Sequence, residues 1–131
     1  MNRYQLYTRM RHAASARHWR GHGVHSPLMY RFVREVAMPL RRRRELPEAI
    51  EAWCGTEWRV AEVDSVDALE KATPAGVKTI VLLREPFRSA AERRAFKTWF
   101  DRTHVVAAHL QGWLVLFFDP KLQKQYFRIR N

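Results

Sequence analysis

Apolar positions change period along this chain, from every third or fourth residue, to short unbroken blocks, to single alternation at the end. The first pattern is helical. Tyr4, Tyr7, Met10, Ala14 and His18 recur at that spacing with no proline among them, which predicts a helix over residues 2–19. Gly21 and Gly23 end it. Ser26 and Pro27 open another, because a serine oxygen caps free N–H groups and proline lacks the N–H that a first helical turn leaves unbonded. This second helix is expected to run to about Ala37. Leu28, Phe32 and Val36 form its apolar stripe, Met29 and Val33 widen it, and Arg31 and Glu35 make an outward i, i+4 pair.

Residues 47–54 read as a short helix, with Pro47 in the first turn, Ile50 and Trp53 on one face and Gly55 as the stop. Residues 58–63 read as a strand, and Asp64 is the expected N-cap of a helix through about Ala72. Pro74 and Gly76 mark the turn into residues 77–83, a continuous apolar run suited to a strand buried on both faces. Ser89-Ala90-Ala91-Glu92 matches a capping box, and the helix it opens directs Ala95, Phe96, Trp99 and Phe100 inward. Residues 104–110, 113–118 and 124–130 follow as three strands on short links, which predicts antiparallel neighbours. In the last of them Phe127 and Ile129 share one face, and Tyr126, Arg128 and Arg130 the other. The predicted architecture is α/β: a mixed sheet of about five strands, parallel first and antiparallel at the end, with flanking helices and an N-terminal helical pair.

A chain of 131 residues is expected to form a single domain, a basic helical arm over residues 1–44 leading into an α/β core over residues 45–131. No stretch approaches the roughly 20 apolar residues needed to span a bilayer, and no secretory signal is read at the start. An arginine-rich start also suits an organellar transit peptide, but Trp19 and residues 22–33 read as domain sequence. The lone Cys54 has no partner for an internal disulfide, which fits a reducing cytoplasm and a packing role.

The net charge of +11 is banded: +10 over residues 1–44, −7 over 45–70 and +8 over 71–131. The basic bands attract phosphate groups, and the acidic one can pair with them internally. Arg41, Arg42, Arg43 and Arg44 lie between Pro39 and Leu46, in a connector, and are the strongest local candidates for contacting RNA or DNA phosphates. Arg3, Arg9, Arg11, Arg17 and Arg20 can assist, although at 100° per residue they do not gather on one side; Arg11 projects near Tyr4 and Arg9 nearly opposite. Tyr4, Tyr7, Trp19 and Tyr30 are available for base stacking where they are exposed. His22 and His25, three apart in a glycine turn without a matched carboxylate or cysteine cluster, do not make a metal site. His104, His109 and Asp101 are general-base candidates by residue type alone, and each reads more simply as a packed or helix-end residue.

Three segments carry a resemblance: His22-Gly23-Val24-His25-Ser26-Pro27-Leu28-Met29-Tyr30-Arg31-Phe32-Val33, Gly112-Trp113-Leu114-Val115-Leu116-Phe117-Phe118, and Gln123-Lys124-Gln125-Tyr126-Phe127-Arg128-Ile129-Arg130. They resemble the two ends of a bacterial family of class I S-adenosylmethionine-dependent methyltransferase-like proteins. The resemblance spans about residues 1–38 and 64–131 and implies a reduced Rossmann-like sheet. In that family the strand matching residues 77–83 leads into an Asp-Asp-Ile-His-Trp-like segment near the active site. Here the paired acids are replaced by Arg84 and Glu85, and the histidine and tryptophan positions hold Phe87 and Arg88. Residues 39–63 supply one helix and one strand where the family's cofactor half needs several. No glycine-rich turn after a first strand can be placed, nor an acid at the end of a second strand. No catalytic residue and no cofactor carry over.

Three functions follow as expectations. The first is a methyltransferase-like pseudoenzyme acting as a scaffold, pairing with itself or a protein partner through the sheet edge that the missing half leaves exposed; Glu57, Arg59 and Glu62 guard that edge. The second is a nucleic-acid-binding module working through the arginines. The third is a methyltransferase completed by a partner subunit.

Overall fold

A computed structural model of the protein describes residues 26–72 and 78–129. Helix α1, Ser26–Phe32, widens into a π-turn over Val33–Ala37, where the Met38 N–H reaches back to the Val33 carbonyl at 2.8 Å. The wider turn brings the neighbours Val36 and Ala37 into the core together. Phe32 and Val36 of the expected stripe are buried, Leu28 and Val33 are half-buried at its margin, and Arg31 Nε bonds Glu35 at 3.2 Å on the solvent side. The first predicted helix, over residues 2–19, lies outside the described residues, as do Pro74 and Gly76.

Helix α2, Leu46–Cys54, stops at Gly55, whose φ of +58° is left-handed and whose N–H bonds the Glu51 carbonyl at 3.2 Å. Strand β1, Arg59–Val63, is followed by helix α3, Asp67–Ala72, strand β2, Thr79–Arg84, and helix α4, Ala90–Asp101. Then come β3, Val106–Leu110, β4, Trp113–Phe118, and β5, Gln125–Arg128. Two local expectations change. Helix α3 starts later than predicted, and Ser65 rather than Asp64 supplies the capping oxygen, accepting from the Ala68 N–H at 3.3 Å. At α4, Ser89 caps the Glu92 N–H at 3.1 Å as predicted, but the Glu92 carboxylate accepts from Phe87 N–H instead of closing the box on Ser89.

The five strands form one sheet in the order β1-β2-β4-β3-β5. β1 and β2 are parallel, and β4 is antiparallel to both β2 and β3. The prediction of antiparallel neighbours holds for β3 and β4 and fails for β5, which pairs with β3 in parallel. The reason is that both edges of β4 are already taken by β2 and β3. The returning chain still runs opposite to β4, but the free hydrogen-bonding edge it meets is that of β3.

Both faces of the sheet are covered. Ile80 and Leu82 of β2 and Val115 and Phe117 of β4 pack against α1, its π-turn and α2, through Phe32, Leu46 and Ile50. Val81, Leu83, Leu114 and Leu116 point the other way, toward Leu69 of α3 and Phe96 and Trp99 of α4. Ala95, expected inward, is exposed. Burial on two faces explains why β2 and β4 are unbroken apolar runs, whereas edge strand β1 carries exposed Arg59 and Glu62. Among the described residues no helix is long and apolar enough to cross a membrane.

Candidate functional site at the carboxyl end of the sheet

The arginine run sits where the chain leaves α1 for α2. Arg42 is extended, and Arg43–Glu45 make one 3-10 turn closed by the Glu45 N–H on the Arg42 carbonyl at 3.0 Å. Leu40 and Leu46 anchor the two ends in the core, so the four guanidinium groups between them stay exposed. The backbone has a further tie from a distant element: Trp113, the first residue of β4, donates from Nε1 to the Arg43 carbonyl at 2.7 Å. Trp113 is only 3% exposed.

The same indole is covered by Arg84, the last residue of β2, whose guanidinium carbon lies 5.2 Å from the ring centroid. Arg84 also reaches Glu62 of β1 at 3.2 Å, an exposed pair whose contribution to stability is under about 1 kcal/mol. Gly112 completes the contact. Its φ of +81° makes the β3–β4 turn, and a Cβ there would lie 3.4 Å from Arg43 Cδ and 3.7 Å from Glu85 Oε1. Arg43, Arg84 and Glu85, from two segments some forty residues apart in sequence, therefore meet around one tryptophan and one glycine.

The loop after β2 is strained. Glu85 has φ +49° and Phe87 φ +64°, left-handed values that cost bulky residues about 1–3 kcal/mol each. Hydrogen bonds and packing hold it there. Glu85 N–H donates to the Gly112 carbonyl at 2.9 Å, Phe87 N–H to Glu92 Oε1 at 3.2 Å, and Arg88 Nε to the Glu85 carbonyl at 3.2 Å. The Phe87 ring is buttressed edge-on by Phe96 at 5.3 Å and by His109 at 5.1 Å.

His109 belongs to the opposite face from Trp113. Its Nδ1 is 2.8 Å from the Tyr126 hydroxyl, and its pKa is lowered to about 4, first by burial and then by the positive charges of Arg128 and Arg93. It is a neutral, packed imidazole at neutral pH. His104 donates from Nε2 to the Leu122 carbonyl at 2.6 Å, and Asp101 ends α4 on the surface. Cys54 is buried, and burial raises its thiol pKa, so it packs without thiolate character. Among the described residues no three His, Cys, Asp or Glu side chains gather where they could hold a metal.

Of the predicted site residues, Arg41, Arg42, Arg43 and Arg44 lie at this end of the sheet, all exposed. Arg42 is 4.0 Å from Glu45; none of Arg41, Arg43 and Arg44 is ion-paired among the described residues. Arg3, Arg9, Arg11, Arg17, Arg20, Tyr4, Tyr7, Trp19, His22 and His25 lie outside the described residues. Tyr30 is 61% exposed, with Arg34 over its ring at 5.4 Å. Arg84, Arg88 and Trp113 were not predicted as site residues. The one signal for them was the position of Arg84 to Arg88 at the end of a buried strand, where α/β folds place their ligands. The arrangement can hold anionic groups by charge and by guanidinium hydrogen bonds. No family model, curated protein or solved structure matches the chain.

Proposed function

We propose that this protein is a methyltransferase-like scaffold that acts by contact with other molecules and not by cofactor chemistry. One observation carries the reading. An open α/β sheet takes its ligand in a crevice beyond the carboxyl ends of its strands. Here that end is filled by the Trp113 indole, locked between the Arg43 carbonyl and the Arg84 guanidinium. The order of elements supports the resemblance: a parallel pair, β1 and β2, is followed by α4 and a hairpin that closes one side of the sheet. The two described glycines, Gly55 and Gly112, make a helix stop and a hairpin turn.

The sheet ends at β1, where the cofactor half of a methyltransferase would continue. The Arg59 N–H points inward, to the Lys78 carbonyl at 2.9 Å, so by alternation the backbone groups of Val60 and Glu62 point outward. That edge is a pairing surface for a partner strand. Titration calorimetry with S-adenosylmethionine, together with light scattering of the wild type and Val60→Pro, tests the reading. The expected results are no heat from the cofactor and self-association that the proline removes. Low-micromolar cofactor affinity overturns the scaffold reading and returns the chain to the enzymes, with a partner subunit completing the site.

A second reading, a nucleic-acid-binding module, is favoured by the exposure of all four residues of the arginine run on a backbone fixed by Trp113. Its test is salt-dependent binding of a labelled duplex, weakened by replacing Arg41, Arg42, Arg43 and Arg44.

A further inference from the structure

We infer that Arg84 and Arg88, carried by the strained loop after β2, join Arg41, Arg42, Arg43 and Arg44 in one surface that grips the phosphodiester backbone of a nucleic acid without reading its bases. This deepens the nucleic-acid reading and rests on it. The juxtaposition is made by Trp113, which touches the arginine run on one side and Arg84 on the other. Arg88 is tied to the same place, since its Nε bonds the carbonyl of Glu85, the residue whose N–H closes on Gly112.

Several features suit this ligand. All six cations are arginines, whose planar fork of N–H donors matches phosphate oxygens. Several are held in advance: the Arg43 backbone by the indole, Arg84 by stacking, Arg88 by a backbone bond. Fixed cations lose less freedom on binding. Two left-handed residues, Glu85 and Phe87, hold the loop in a conformation that an unconstrained chain would leave, and strain of this kind collects at binding sites.

Among the described residues the aromatic ring at this surface is not open to stacking on bases, because Trp113 is buried and its face is covered by Arg84. Among the described residues it also lacks a continuous exposed apolar face to insert into a lipid surface. The large exposed apolar side chains among the described residues, Tyr30 and Met38, belong to α1 and the turn after it. Glu45, Glu62 and Glu85 stand among the arginines, so a sparsely charged acidic peptide gains little. A nucleic acid carries dense charge and releases condensed counterions on binding, and so overcomes them.

The experiment is fluorescence anisotropy with a short labelled DNA duplex, its single strand and polyglutamate, at about 50 and 200 mM salt. The proteins are the full chain, a variant with Arg41, Arg42, Arg43 and Arg44 changed to Gln, the double variant Arg84→Gln/Arg88→Gln, and Arg84→Lys/Arg88→Lys. Both the four-Gln and two-Gln variants are expected to bind the duplex more weakly. Each lost phosphate contact lowers the salt slope by about 0.9, so the affinity lost between the two salt concentrations should be about tenfold smaller in the two-Gln variant than in the wild type. The double lysine variant should keep the wild-type slope.

A two-Gln variant with the wild-type slope overturns the assignment of Arg84 and Arg88 while leaving the nucleic-acid reading standing. Wild-type protein that binds neither nucleic acid overturns both. Polyglutamate bound as tightly as the duplex overturns the choice of partner. Should the two-Gln variant unfold by circular dichroism, Arg88→Gln alone gives the same answer with a slope lower by about one, because among the described residues that exposed side chain is held by a bond to a backbone carbonyl.

Discussion

His109 makes the stability of this protein depend on pH in a direction that its surroundings specify. The imidazole is wedged between Phe87 and Tyr126, and burial, with Arg128 and Arg93 nearby, lowers its pKa to about 4 from an ordinary value of 6.5. Above pH 6.5 the ring is neutral in the folded and unfolded chains alike, and its contribution to stability is fully present. As pH falls from 6.5 toward 4 the unfolded chain takes up a proton that the folded chain refuses, so stability is lost across that window. The slope is about 1.4 kcal/mol per pH unit, giving a loss of about 2 kcal/mol by pH 5 and about 3 kcal/mol in all. That is a large share of the roughly 5–15 kcal/mol that holds a typical domain together. Urea unfolding of the wild type and His109→Gln at pH 7 and pH 5 isolates the effect, since the other titrating groups are common to both. Glutamine can still accept from the Tyr126 hydroxyl but cannot take a proton. The wild type should lose about 2 kcal/mol more than the variant between the two pH values. Parallel losses would refute the reasoning, as would a His109 ring signal titrating near 6.5 in the folded protein.

Three further outcomes follow from single contacts. Trp113→Phe keeps most of the buried ring but removes one of the two donors to the Arg43 carbonyl, the Leu46 N–H remaining, and should cost about 1 kcal/mol in urea unfolding. Gly112→Ala places a Cβ against Arg43 at a φ of +81° and should cost about 1–2 kcal/mol, read as a lowered Tm. Ser89→Ala removes the oxygen that caps α4 and should cost about 1 kcal/mol, with no change in the salt slope of nucleic-acid binding.

The elements were largely legible because each announces itself locally. The apolar run ending in Ile80, Val81, Leu82 and Leu83 suits a strand buried on both faces, and the Ser89 cap lies three residues before the glutamate whose N–H it binds. Errors arose where a neighbouring residue could do the same task. Ser65 and Asp64 are both good caps, and the backbone path alone decides which oxygen meets the Ala68 N–H. Ala95 is small enough to sit at the margin of a helix face, so its periodicity with Phe96 and Trp99 did not fix its burial.

The pairing of β5 shows the larger limit. Its alternation of Phe127 and Ile129 with Tyr126 and Arg128 was readable, but its neighbour depended on which edges β2, β3 and β4 had already consumed. The candidate site has the same character. Arg41, Arg42, Arg43 and Arg44 were visible as a run, yet nothing in the sequence brings Arg84, Arg88 and Trp113 beside them. Local order, burial pattern and charge follow from the sequence because they depend on residues within a turn or two of one another. The meeting of Arg43, Arg84 and Gly112 around Trp113 was decided by tertiary structure, because strand order alone sets which distant chain ends share one end of a sheet.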